Sequence, residues 1–210
     1  MSLKAPLMAE LKSICVYCGS GDGEEPAYAQ AASALGKAMA EAGIRLVYGG
    51  GSIGLMGRVA RATLDAGGEV TGIIPHFLEK REEMFTDVTD LIVTRDMHER
   101  KMMMFDRAEA FVALPGGVGT LEELVEQLTW IQLGQHEKPV LLANIAGFWG
   151  PLMELIDHMR EENFVRAELD VSYLVTDDVA DIVPMLQQAV ADKPAEAIDQ
   201  PAEAEEIRRL

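Results

Sequence analysis

The 210-residue chain is 49% hydrophobic and carries a formal net charge of −17. Such a length supports one domain with a sizeable core, and the acidic balance argues against an open basic groove for a nucleic acid polymer. No apolar run approaches the roughly 18 residues of a membrane span. The N-terminus lacks the basic, apolar and cleavage regions of a secretion signal, so a cytoplasmic protein with no membrane partner is expected.

The first predicted strand is "SICVYC" (13–18). Its Cys15 and Cys18 form a C-x-x-C, but no second Cys/His pair has metal-ligand spacing. Residues three apart on a strand point to opposite faces, so two buried free thiols are expected rather than a redox or zinc site. A helix follows from Pro26, which suits a first turn, to Gly43, which suits a stop. Further strands are predicted at 44–49, 69–74, 90–95, 110–115 and 139–144, and further helices at 53–66, 97–108, 120–134 and 148–162. The strands are near-continuously apolar, as strands covered on both faces should be. Strand and helix in alternation imply an α/β fold: a single-domain, Rossmann-like, doubly wound parallel sheet with helices on both faces, spanning 1–190. The stretch 191–210 is rich in Ala, Glu and Pro with little to bury and reads as an acidic, flexible tail.

Ligands of such sheets bind beyond the carboxyl ends of the strands, and the unusual residues fall in those loops. "GGGSIG" (49–54) fits a dinucleotide-binding loop, but it follows the second strand, and the third ends "IIPH" without an acidic residue for ribose hydroxyls. These glycines serve either a ligand or close helix–sheet packing. "PGGVGT" (115–120) lacks the G-K-[ST] of a Walker loop, so what it offers is a glycine run opening a helix whose free N–H groups suit an anion. Thr120 and Glu123 also fit a capping box, in which each side chain satisfies the other's amide. Used that way, the Glu123 carboxylate is unavailable for chemistry. Arg100, in "MHERK" (97–101), sits early in a helix, where the macrodipole disfavours a cation. It either belongs to a solvated face or turns into the cleft toward phosphate or Glu123.

Taken together, "PGGVGTLEE" and, with Arg100 placed 23 positions before Glu123, "DMHERK" resemble the paired signatures of the LOG family, the cytokinin riboside 5′-monophosphate phosphoribohydrolases. "CGSG", "GGGSIGLMG" and "LTWIQLG…KPV" fit the same family, and the likeness runs from about Ser13 to Phe164. One departure is Gly21, which stands after Ser20 where many relatives carry a second serine. The resemblance implies hydrolysis of a nucleoside 5′-monophosphate to free base and ribose 5-phosphate. It implies Arg100 and Glu123 as the catalytic pair, with substrate contacts from Ser20, Gly50, Gly51, Glu82, Met97, Lys101, Gly116, Gly117, Val118, Gly119, Thr120 and Thr129.

An oxocarbenium-like transition state would use Glu123 against the ribose, with Arg100 acting electrostatically because it stays protonated. The alternatives are a non-catalytic carrier of a nucleotide-like group such as molybdenum cofactor, or a general purine or pyrimidine 5′-nucleotide nucleosidase. Some relatives bear an old lysine decarboxylase label, yet nothing in the sequence suggests a pyridoxal phosphate site. No cofactor is implied, and His76, His98, His136 and His158 lack metal-ligand spacing. The family likeness also implies a homo-oligomer, most simply a dimer. The run "KMMMFDRA" (101–108) is either part of that surface or ordinary core.

Overall fold

The computed structural model describes residues 10–165 and 171–193. Seven parallel strands form one sheet: β1 (Ser13–Tyr17), β2 (Arg45–Tyr48), β3 (Val70–Pro75), β4 (Asp90–Thr94), β5 (Ala110–Ala113), β6 (Val140–Ala143) and β7 (Leu174–Thr176). Their spatial order is β4-β3-β2-β1-β5-β6-β7. Six α-helices lie among the described residues: α1 (Pro26–Glu41), α2 (Gly54–Asp65), α3 (Met97–Asp106), α4 (Val118–Gln132), α5 (Gly150–Glu161) and α6 (Val179–Ala191). The expected Rossmann-like, doubly wound α/β architecture is the one observed.

Hydrophobic pattern places the layers. On one face of the sheet Ile14, Val16, Leu46 and Tyr48 pack against α1, α2 and α6 through Leu35, Val59 and Leu186. On the other, Cys15, Val47, Ile73 and Phe111 pack against α3, α4 and α5 through Met104, Leu124 and Ile156. Cys15 and Cys18 lie in these opposite layers, both buried and both free thiols. Strand β4 departs from expectation. It is the sheet edge, and Val93 is 49% exposed, so this apolar run is not covered on both faces. The sequence also predicts no element between 163 and 190, where the structure adds β7 and α6. α6 is capped by the Asp178 carboxylate, which accepts from the Ala180 N–H at 2.9 Å. The predicted tail lies, from 194 onward, outside the described residues.

Strand order positions the site. The chain adds β2, β3 and β4 outward on one side of β1, then returns to lay β5 on its other side. The loops after β1 and β5 therefore diverge at the switch point, leaving a crevice at the carboxyl end of the sheet. Two backbone bonds carry the strand pairing into those loops: Leu114 N–H to Tyr17 O at 2.9 Å, and Gly19 N–H to Pro115 O at 3.0 Å. No helix among the described residues is long and apolar enough to cross a membrane.

Candidate active site

Arg100 is the centre of the cleft, and its local sequence explains how it gets there. Asp96 caps α3 by accepting from the Glu99 N–H at 2.9 Å, and the Glu99 carboxylate reaches back to the Arg95 N–H at 2.8 Å. The two bonds fix the start of α3, with Glu99 reaching one residue beyond the N-cap amide that a capping box would engage. Arg100 lies one residue further on, 5% exposed. Its Nε donates to Ile73 O and its Nη2 to Gly49 O, both at 3.1 Å. The first lies within β3 and the second directly follows β2, so the sheet itself holds the guanidinium. A Cβ at Gly49 would fall inside that guanidinium, which is why the loop requires glycine there.

Two carboxylates face the same cation. Glu123 Oε1 lies 3.9 Å from Arg100 Nη1, and Glu82 Oε2 lies 3.7 Å from Nη2. Both separations exceed hydrogen-bond length, leaving room for a bridging hydroxyl or water. Burial pushes the Glu123 carboxyl up to about 7, with Arg100 opposing the shift and Glu122 and Glu82 reinforcing it. Burial likewise raises Glu82, again opposed by Arg100. Glu82 Oε2 is buried and makes no hydrogen bond. The segment that presents Glu82 is clamped to the glycine loop: Ser52 N–H donates to Glu82 O at 3.1 Å, and Phe85 N–H to Gly50 O at 2.9 Å.

Helix α4 starts two residues earlier than predicted. Its N-cap is Gly117, in extended conformation with no side-chain cap, and Thr120 sits inside the first turn, 5% exposed. The predicted capping box at Thr120 and Glu123 is therefore absent. Gly116 has no Cβ where Thr120 packs, which lets the threonine turn inward. With the cap position moved back, Glu123 lies on the buried face of α4, turned toward Arg100. The amides of Val118, Gly119 and Thr120 open the helix without a side-chain acceptor.

The cleft encloses about 350 Å³. Of the residues expected from sequence, Ser20, Glu82, Met97, Arg100, Gly117, Val118, Gly119, Thr120 and Glu123 line it. Five do not. Gly50 and Gly51 lie behind Gly49, against Ile74 and Met56, and shape the loop rather than the wall. Gly116 borders a neighbouring hollow of about 270 Å³ that shares Gly19, Ser20 and Gly117 with the cleft. Lys101 bonds Glu122 and Glu126. Thr129 is exposed on α4, its hydroxyl donating to Val125 O at 2.7 Å. The structure adds Val16, Tyr17, Cys18, Gly19, Gly49, Met56, Leu78, Met104 and Glu122 to the lining. Cys18, Gly19, Gly49 and Met56 lay in the CGSG and GGGSIGLMG motifs and Met104 in the KMMMFDRA run, but no sequence signal singled any of them out for the cleft wall.

The sequence profile of a family described as "Possible lysine decarboxylase" matches residues 56–186. Pyridoxal phosphate chemistry would need a lysine to carry the cofactor as a Schiff base, and among the described residues no lysine lines the cleft, so the residues present do not fit that group. The rice protein (Oryza sativa subsp. japonica) named cytokinin riboside 5′-monophosphate phosphoribohydrolase LOG is 45% identical over 88% of this chain and 76% of its own length. The Arabidopsis thaliana protein of that name, LOG7, is 48% identical over 75% of this chain and 72% of its own. Among solved structures, the Moco carrier protein of Chlamydomonas reinhardtii superposes with a TM-score of 0.65 at 24% identity, over 87% of this chain and 99% of that one, a likeness of fold. Identity at this level over most of both chains, with the PGGVGTLEE and MHERK elements meeting in one cleft, places this chain in the LOG family.

Proposed function

We propose that this chain is an N-glycosidase that hydrolyses nucleoside 5′-monophosphates to free base and ribose 5-phosphate. One observation carries the proposal: Glu123, buried and unused as a helix cap, faces Arg100 across 3.9 Å in a cleft that also holds the uncapped start of α4. The names of the relatives support the same chemistry.

The roles follow from charge and reach. The first-turn amides of α4 and the positive end of its dipole receive the 5′-phosphate. The ribose then lies over Glu123, whose carboxylate stabilises positive charge as the C1′–N bond breaks and orients the attacking water. Arg100 is fixed by two carbonyls, so it needs no reorganisation at the transition state. It favours the ionised form of Glu123 against the effect of burial and stabilises negative charge on the leaving base. Glu82, with an unsatisfied buried oxygen, is placed to accept a hydrogen bond from a substrate hydroxyl or base N–H. The methionines at 56, 97 and 104 form a pliable apolar wall suited to a flat base and to an apolar substituent on it.

A cytokinin nucleotide, with its prenyl group, is the substrate we favour over unmodified purine or pyrimidine nucleotides. Base release measured across AMP, isopentenyl-AMP and the common monophosphates tests both levels. Release from isopentenyl-AMP with the highest kcat/KM supports the finer assignment, and equal rates reduce it to a general nucleosidase. Tight nucleotide binding with no release from any of them would refute hydrolysis and favour a carrier. We further propose a cytoplasmic homodimer, supported by the exposed apolar residues Leu121 and Val125 on α4 and Leu155 and Met159 on α5. Met104, by contrast, is core at 1% exposure. Light scattering on a sizing column reads the oligomeric state directly.

A further inference from the structure

Arg100 and Glu123 are carried by elements rooted far apart in the sheet. Arg100 is held by one carbonyl within β3 and one directly after β2, whereas Glu123 rides on α4, which leaves β5 on the other side of β1. Their side chains do not hydrogen-bond each other at 3.9 Å, so beyond the sheet that anchors both elements, a contact between the two helices can fix their separation. Lys101 makes such contacts. Neighbours on a helix diverge by about 100°, and while Arg100 turns under Gly49, Lys101 crosses to α4. Its Nζ donates to Glu122 Oε1 at 2.7 Å and to Glu126 Oε1 at 2.9 Å. These acids flank Glu123, one just before it and one a turn beyond.

The contact is partly desolvated. The Lys101 side chain is 18% exposed and that of Glu126 23%, against 52% for Glu122. The second oxygen of Glu126 is buried without a hydrogen-bond partner, so the ammonium of Lys101 is the group that balances this carboxylate. Lys101 does not line the cleft, and of its two partners Glu122 does and Glu126 does not. Two of its three N–H donors are engaged on α4.

We infer that Lys101 is a positioning residue: by fastening α3 to α4 through Glu122 and Glu126 it sets the spacing of Arg100 and Glu123, and it does not bind the substrate. This rests on the hydrolase reading of the Arg100–Glu123 pair. The test compares the wild type with Lys101→Met, Lys101→Arg and the isosteric double variant Glu122→Gln/Glu126→Gln, by steady-state base release and by calorimetric titration with AMP. Misplacement of catalytic groups by an ångström can cost about a hundredfold, so Lys101→Met should lower kcat by about ten- to a hundredfold, with KM and AMP affinity held within about twofold. The double variant should reproduce that loss, and combining it with Lys101→Met should add nothing, as for residues acting through one contact. Lys101→Arg should recover most of the rate, because a guanidinium fork reaches two carboxylates.

A raised KM and weakened AMP binding with kcat kept, or a double variant with wild-type kinetics, would overturn the assignment. If the wild type releases no base from any nucleotide, the hydrolase reading fails by itself. The Lys101–Glu126 coupling is then read from a double-mutant cycle in urea unfolding, and a zero coupling energy overturns the inference independently of activity.

Discussion

Replacement of Glu123 by Gln isolates the ionisation at the centre of the cleft. Burial raises this carboxyl from 4.5 to about 7, so the folded state holds the proton more tightly than the unfolded chain does. A carboxyl with a raised folded pKa contributes stability that is present below 4.5 and is lost as pH climbs through 7. A tenfold change in proton affinity is worth about 1.4 kcal/mol, so the ionised side chain costs the native state about 3 kcal/mol above pH 8 and about 1 kcal/mol near pH 5. Glutamine has the shape of the protonated acid and no titration. Every other titrating group is common to both proteins, so the stability difference between variant and wild type reports this one site. Urea unfolding should therefore show Glu123→Gln gaining about 2 kcal/mol on the wild type between about pH 5 and about pH 8. The same variant should lose base release at both values, while wild-type kcat/KM rises with pH through about 7 as Glu123 ionises. A stability difference that stays flat with pH would mean that Glu123 is not a desolvated carboxylate, and the electrostatic account of the site would fall with it.

Gly49→Ala places a methyl group where the Arg100 guanidinium lies. Turnover should drop by about a hundredfold, with a stability loss of about 1–3 kcal/mol, and a variant with full activity would contradict the placement. Arg100→Met leaves Glu82 and Glu123 buried together without a cation. It should cost about 3 kcal/mol at alkaline pH, less near pH 5 where Glu123 takes a proton, and it should abolish base release, as paired melts and rate assays would show. Asp96→Ala removes the side-chain cap of α3 and should cost about 1 kcal/mol in urea unfolding.

Much of the fold was legible because burial on both sheet faces leaves apolar runs that turn-forming residues interrupt. Six strands and five helices follow from that pattern. β7 escaped because Leu174–Thr176 is only three residues long, and α6 because Pro184 interrupts an otherwise helical run. β4 carried the pattern of a covered strand although it ends the sheet, since an apolar run does not record how many neighbours it will have.

At the site, the glycine loops together with the family resemblance carried by Arg100 and Glu123 pointed to the cleft that the structure shows. Thr120 and Glu123 nevertheless matched a capping box equally well, because both uses place the same residue types at a helix start. Lys101 and Thr129, expected as contacts, lie outside the lining of the cleft, because motif membership shows that residues are near a site, not which way a side chain turns.

The sequence by itself determined the alternation of strands and helices, the loops in which chemistry could sit, and the residue types available there. Only the tertiary structure decided that α4 begins at Val118, so that Glu123 turns inward. It also decided that Arg100 is buried rather than solvated. The physical reason is that Arg100 answers to the carbonyls of Gly49 and Ile73, backbone groups distant along the chain that chemical identity does not mark. They converge on one guanidinium because β2 and β3 are adjacent parallel strands whose carboxyl ends lie side by side.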